Sequence, residues 1–87
     1  MTPEQARSIV RALLHEMAPD ADLDGVGAGA TFQETLGLDS LDFLTFVDRL
    51  HERTGIEILE RDYPLLLTID DCVSFLVSAT RPEQTPP

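Results

Sequence analysis

Cysteine and basic residues are scarce in this chain of 87 residues. Cys72 is its single cysteine, which excludes an internal disulfide and fits a reducing compartment. Six basic residues stand against 16 acidic ones, which gives a formal charge of −10. Nucleic acids and anionic membranes would be repelled by this charge, whereas basic protein partners would be attracted.

Long apolar runs are also missing. No stretch is long enough for a transmembrane helix, and the start, Met1-Thr2-Pro3-Glu4, has neither the basic nor the apolar region of a signal peptide. We therefore expect a cytoplasmic protein without membrane insertion, acting as a monomer. With 43% hydrophobic residues the chain can form one small core. We assign residues 1–80 to that domain and residues 81–87 to a disordered tail.

Capping signals and apolar periodicity predict an all-α fold, a small up-and-down bundle of three main helices and one short one. The first helix starts at Thr2, where Gln5 completes a capping box. The second runs from about Ser40 to Arg53 before Gly55, and the third follows Thr68. Their inner faces are Ala6, Ile9, Val10, Leu13, Leu14 and Met17; Phe46, Val47 and Leu50; and Ile69, Cys72, Val73, Phe75, Leu76 and Ala79.

The intervening segments are predicted to be irregular. Residues 18–35 form a long connection, which we expect to be pinned to the core by Leu23, Val26 and Phe32. Glu60 to Tyr63 forms one short helical turn, which Pro64 closes. The last apolar helix follows directly after this region.

One stretch organises the rest of the chain, the sequence Leu-Gly-Leu-Asp-Ser-Leu-Asp-Phe-Leu at residues 36–44. Gly37 permits a sharp turn, and both Asp39 and Ser40 are good helix caps. Ser40 is thus expected at a helix start with its hydroxyl open to solvent. Free backbone amides and the positive end of the helix dipole would favour a phosphate there.

This stretch resembles the attachment motif of acyl carrier proteins. Phe32, Phe46 and Leu50 also stand where that family has comparable residues, as do the segments 55–58 and 68–69, so that the resemblance covers about residues 3–80. It implies that Ser40 carries a covalent 4′-phosphopantetheine arm, donated by coenzyme A through a separate phosphopantetheinyl transferase. The protein would then be a carrier and not an enzyme, holding acyl thioesters for partner enzymes of fatty acid, polyketide or other lipid biosynthesis.

The resemblance also implies a docking surface around the serine. It assigns Asp39, Leu41, Leu44 and Asp42 to contacts with acyl-loading and acyl-using enzymes that carry basic docking patches. We expect Leu41 and Leu44 to be partly exposed, and Phe43 to lie on an exposed flank. Arg49, His51 and Arg53 interrupt the acidic second helix that fatty-acid carriers usually have, which favours a dedicated pathway.

Three alternatives remain open at the level of sequence. The chain could be an aminoacyl or peptidyl carrier of a secondary pathway, or an unmodified interaction subunit with the same fold. It could also bind calcium at Asp20, Asp22 and Asp24, although position twelve of that loop is Thr31 where glutamate is needed. We therefore predict no metal site.

Overall fold

Three long α-helices build the core of the molecule. The computed structural model describes residues 1–25, 27 and 29–80. The α-helices are α1 (Pro3–Met17), α2 (Phe32–Leu36), α3 (Ser40–Thr54) and α4 (Ile69–Ala79). A single 3₁₀ turn lies at Leu23–Gly25, and a longer 3₁₀ helix lies at Glu60–Leu66. No strand occurs within those residues, so the predicted all-α class is confirmed.

Local capping explains where the long helices begin and end. Thr2 and Gln5 form the predicted capping box at the start of α1, and the Thr68 side chain caps α4 through the amide of Asp71. Gly55 ends α3 with a φ of 73°. Glycine adopts this left-handed conformation without the steric cost that a side chain adds. The sequence therefore determined the bounds of α3 to within one residue.

The core lies where α1 packs against both α3 and α4. Its largest side chains without exposed surface come from all three helices and from the 3₁₀ helix. They are Phe46, Leu13, Leu14, Leu50, Leu66 and Leu76. The predicted inner faces are therefore confirmed, except that Ala79 is exposed because α4 ends there.

Two connections differ from their prediction. The segment 18–35 contains a helix that we did not predict, α2, which Thr31 caps and which Gly37 follows. The segment is anchored as expected by the buried Phe32 and the half-buried Leu23, whereas Val26 lies outside the described residues. The 3₁₀ helix runs on to Leu66, so Pro64, which was expected to end the helical turn, lies inside it.

α2 is attached to the start of α4. The amide of Phe32 donates a hydrogen bond to the Leu67 carbonyl at 3.1 Å, within an isolated antiparallel bridge between Thr31 and Thr68. This attachment brings α2, the beginning of α3 and the 3₁₀ helix to one corner of the molecule. The predicted tail, residues 81–87, lies outside the described residues.

Candidate prosthetic-group site

The turn before α3 is built so that Ser40 is the first residue of the helix. Gly37 adopts a φ of 67° and ends α2. Leu38 is buried and anchors the turn in the core. The chain then leaves the core at Asp39 and enters α3 at Ser40.

Asp39, and not Ser40, caps α3. One oxygen of its carboxylate accepts a hydrogen bond from the Asp42 amide at 2.9 Å, and the Asp42 carboxylate accepts one from the Asp39 amide at 3.2 Å. This is a reciprocal capping box. The sequence left both Asp39 and Ser40 as possible caps. Because the aspartate takes that role, the Ser40 hydroxyl is not needed for the cap and is exposed.

The electrostatics at Ser40 combine two opposing effects. The amides of Ser40 and Leu41 have no acceptor within the helix, and the dipole favours a negative charge there by about 0.3–1 kcal/mol. The carboxylates of Asp39 and Asp42 lie at the same helix end and oppose a phosphate. The helix end and the two carboxylates therefore act in opposite directions on a phosphate at Ser40.

Ser40 has no general base beside it. The chain contains no lysine, and His15 lies exposed on α1. His51 lies about three turns further along α3, where its Nδ1 is 2.7 Å from the Ile56 carbonyl oxygen. The serine is therefore not activated by a histidine or lysine of its own chain.

The predicted apolar contacts of the site are only partly available to a partner. Leu41 has 74% of its surface exposed and Leu44 has 42%, as expected for a contact surface. Phe43 was predicted on an exposed flank, and this is wrong. It is half-buried, because its ring packs edge-to-face against Tyr63 at a centroid distance of 5.6 Å.

A pocket opens beside Ser40, and we name it the Ser40 pocket. It has a volume of about 290 Å³, and Ser40 is part of its wall. Its apolar lining comes from α2, the turn after it, α3, the 3₁₀ helix and the residue after that helix. These lining residues are Phe32, Leu38, Phe43, Leu44, Tyr63 and Leu67. Sequence reasoning did not connect Tyr63 or Leu67 with the site, since only the fold brings them within reach of Ser40.

The arginines of α3 are held by α1. Glu16 accepts a hydrogen bond from Arg53 at 2.9 Å and lies 3.8 Å from an Arg49 nitrogen. Among the described residues, no ion pair engages Asp42, Asp48 or Glu52. The arginines that interrupt the acidic pattern therefore do not neutralise these acids.

The calcium-like loop is used for local structure. The Asp22 carboxylate accepts hydrogen bonds from the amides of Asp24 and Gly25 at 3.1 and 3.3 Å, and Asp24 pairs with Arg11. Over residues 1–25, 27 and 29–80, no three acidic, histidine or cysteine side chains are grouped as metal ligands. This geometry offers no support for the calcium-binding alternative.

Comparison with known proteins decides the family. The family model described as the phosphopantetheine attachment site matches residues 4–63. The chain is 38% identical over 58 residues to the acyl carrier protein of Sinorhizobium fredii (strain NBRC 101917 / NGR234), which covers 67% of this chain and 74% of the relative. The acyl carrier protein AcpP of Rhizobium meliloti (strain 1021) matches with the same identity and coverage. The chain belongs to the acyl carrier protein family.

As a member of this family the chain is a carrier protein, and its cofactor is 4′-phosphopantetheine. The residues present fit this group, because an exposed hydroxyl at a helix start stands beside an apolar pocket. Among the described residues, no helix is long and apolar enough to cross a membrane.

Proposed function

We propose that the Ser40 hydroxyl is the attachment point of the 4′-phosphopantetheine arm. The observation that carries this proposal is the division of roles at the start of α3, where Asp39 caps the helix and leaves the serine hydroxyl exposed. A serine that served as the cap would have its oxygen occupied by a backbone amide. Ser40 also lies within the span matched by the family model.

The loading reaction needs a second protein. The Ser40 oxygen attacks the pyrophosphate of coenzyme A and forms a phosphodiester, while the nucleotide half of coenzyme A leaves and the hydroxyl proton goes to a base. Since the chain places no histidine or lysine beside Ser40, a phosphopantetheinyl transferase supplies that base. It also supplies the metal ion that the reaction needs. The loaded arm then holds acyl groups as thioesters.

The partner surface, in this proposal, is the exposed beginning of α3 with its acidic flank. Leu41 and Leu44 offer apolar contacts, and Asp42, Asp48 and Glu52 offer negative charge. Partner enzymes with basic docking patches would be steered to this surface, with a rate that falls as salt is added. Asp39 contributes mainly through the capping box, since its carboxylate already accepts the Asp42 amide.

We infer a role in the biosynthesis of fatty acids, polyketides or other lipids. An aminoacyl or peptidyl carrier remains the nearest alternative, because the same serine and arm would serve it. The two functions differ in the cargo that the loading enzymes transfer, and mass spectrometry of the carrier recovered from cells would distinguish them.

The deciding experiment is an intact mass spectrum after incubation with coenzyme A, magnesium and a broad-specificity phosphopantetheinyl transferase. We expect the wild-type chain to gain the mass of one phosphopantetheine. Ser40→Ala should gain nothing, and Ser74→Ala, which changes an exposed serine of α4, should load like the wild type. Circular dichroism of each variant shows whether it is folded.

Two outcomes would contradict the proposal. A Ser40→Ala protein that still gains the full mass would place the attachment elsewhere. A folded wild-type chain that gains nothing, with this transferase and with one from the same organism, would favour the unmodified interaction subunit.

A further inference from the structure

Tyr63 of the 3₁₀ helix lines two separate depressions of the surface. One is the Ser40 pocket, of about 290 Å³. The other has a volume of about 470 Å³ and is lined by α3 and by the segment 57–59, with Val47, His51 and Ile58 among its residues. The tyrosine therefore forms part of the wall of both depressions.

The tyrosine ring is held in place by Phe43. The two rings meet edge-to-face at an interplanar angle of 80°, which is a favoured arrangement of aromatic side chains. Both residues are half-buried and pack against the core. The contact between the two rings thus connects α3 to the 3₁₀ helix.

The interior behind the Ser40 pocket is closed as well. Phe32, which lines the pocket, packs edge-to-face against Phe46 at a centroid distance of 5.3 Å. Phe46, Leu50 and Leu66 have no exposed surface. A chain that extends from Ser40 into the pocket would therefore meet packed side chains inward and Tyr63 along the surface.

We propose that the Tyr63 ring, held against Phe43, ends the Ser40 pocket and limits the acyl groups that this carrier shelters to short, uncharged chains. This inference rests on the proposed attachment at Ser40. A volume of 290 Å³ has room for about ten non-hydrogen atoms, if each takes the ~30 Å³ of a water molecule in the liquid. The mainly apolar lining favours hydrocarbon and disfavours a charged end.

The test measures how thermal stability depends on the length of the cargo. Acyl-coenzyme A thioesters of 2 to about 16 carbons are transferred to the wild type and to Tyr63→Ala, and the melting temperature of each product is compared with that of the same variant carrying the free thiol arm. Each methylene that becomes fully buried should raise the melting temperature by at most about 3–6 °C. Intact mass spectra establish first that each acyl arm is attached.

We expect the gain in melting temperature of the wild type to stop growing at about eight to ten carbons. The gain in melting temperature of Tyr63→Ala should continue to grow with longer chains. Tyr63→Phe keeps the ring and should behave like the wild type. Leu65→Ala changes an exposed leucine of the same 3₁₀ helix that lines neither depression, and it should also leave the limit unchanged.

The inference is overturned if the wild-type gain grows steadily to 16 carbons, if no chain length produces a gain, or if Tyr63→Ala stops at the wild-type length. Should Tyr63→Ala not fold, Leu67→Trp replaces it, because a larger side chain in the Ser40 pocket should shorten the limit, and an unchanged limit overturns the inference. Failure of the wild type to accept any arm would instead count against the proposed function.

Discussion

The two ends of α3 lie in different surroundings. Its later part, with Phe46 and Leu50 fully buried, belongs to the core that α1 and α4 complete. Its beginning, from Ser40 to Leu44, lies at a corner where side chains are exposed or half-buried and where a pocket opens. The core part provides stability, and the corner leaves groups free to contact other molecules.

This difference has a physical basis in what each residue contacts. A fully buried leucine loses transfer free energy and leaves a cavity when it is truncated, whereas an exposed leucine loses little of either. The corner therefore carries apolar surface that folding does not need, at Leu41 and Leu44. A substitution in the core should therefore lower stability and change partner binding little. A substitution at the corner should weaken partner binding and change stability little.

The largest effect on folding is expected in the core. Leu13→Ala should lower the free energy of unfolding by about 2–5 kcal/mol, because Leu13 has no exposed surface and lies where α1 meets its neighbours. Leu41→Ala, which changes a leucine that is 74% exposed, should stay within about 0.5 kcal/mol. Urea unfolding of both variants measures the contrast, and equal losses would show that the corner is part of the core.

A second prediction concerns the buried thiol of α4. Burial, together with the neighbouring charge of Asp71, raises the pKa of Cys72 far above its ordinary value. The folded protein therefore keeps the thiol protonated at a pH where the unfolded chain releases the proton. The contribution of the protonated Cys72 thiol to the free energy of unfolding is complete below pH 9. Above pH 9 this contribution falls by about 1.4 kcal/mol per pH unit.

Urea unfolding between pH 8 and pH 10.5 measures this decline, with Cys72→Ala as the control. The alanine variant should be less stable at pH 8 but should lose less stability as the pH rises. Since the chain has no lysine, few other groups titrate in this range. Parallel slopes for the two proteins would mean that the thiol does not cause the decline.

The smallest effect on folding and a clear effect on binding are expected at the corner. Leu44→Asp should cost less than about 1 kcal/mol of stability, because Leu44 is 42% exposed. It should weaken docking to an acyl-loading enzyme about tenfold, as expected when an apolar contact is replaced by a charge. Calorimetric titration with that enzyme and urea unfolding together check this, and a large stability loss with unchanged binding would make Leu44 a core residue.

The site was largely predictable at the level of local sequence. The turn at Gly37, the helix start at residues 39–40 and the exposed position of Ser40 all depend on residues within one helical turn of each other, whereas the family resemblance extends over about residues 3–80. The attachment at Ser40 itself stays a prediction until the mass spectrum is measured. The choice between Asp39 and Ser40 as the cap could not be predicted, because both side chains suit that position.

The predictions from sequence were wrong where contacts with other segments of the chain determine the structure. α2 has only five residues, too few to be stable in isolation. It exists because Phe32 is buried and because its amide bonds to Leu67. Phe43 was assigned to an exposed flank, but it lies on the same helical face as Phe46 and Val47, three and four residues further on, and Tyr63 of the 3₁₀ helix packs against its ring.

The all-α class, the three long helices and the acidic charge followed from the amino-acid sequence, because each depends on composition or on neighbours within about four residues, and the family followed from a pattern spread over about residues 3–80. The tertiary structure alone decided that Glu16 holds the arginines of α3 and that the Ser40 pocket exists. It also brought Tyr63 into the lining of that pocket and of the neighbouring depression. These features join residues from different elements, and only the packing of the folded chain brings such residues together.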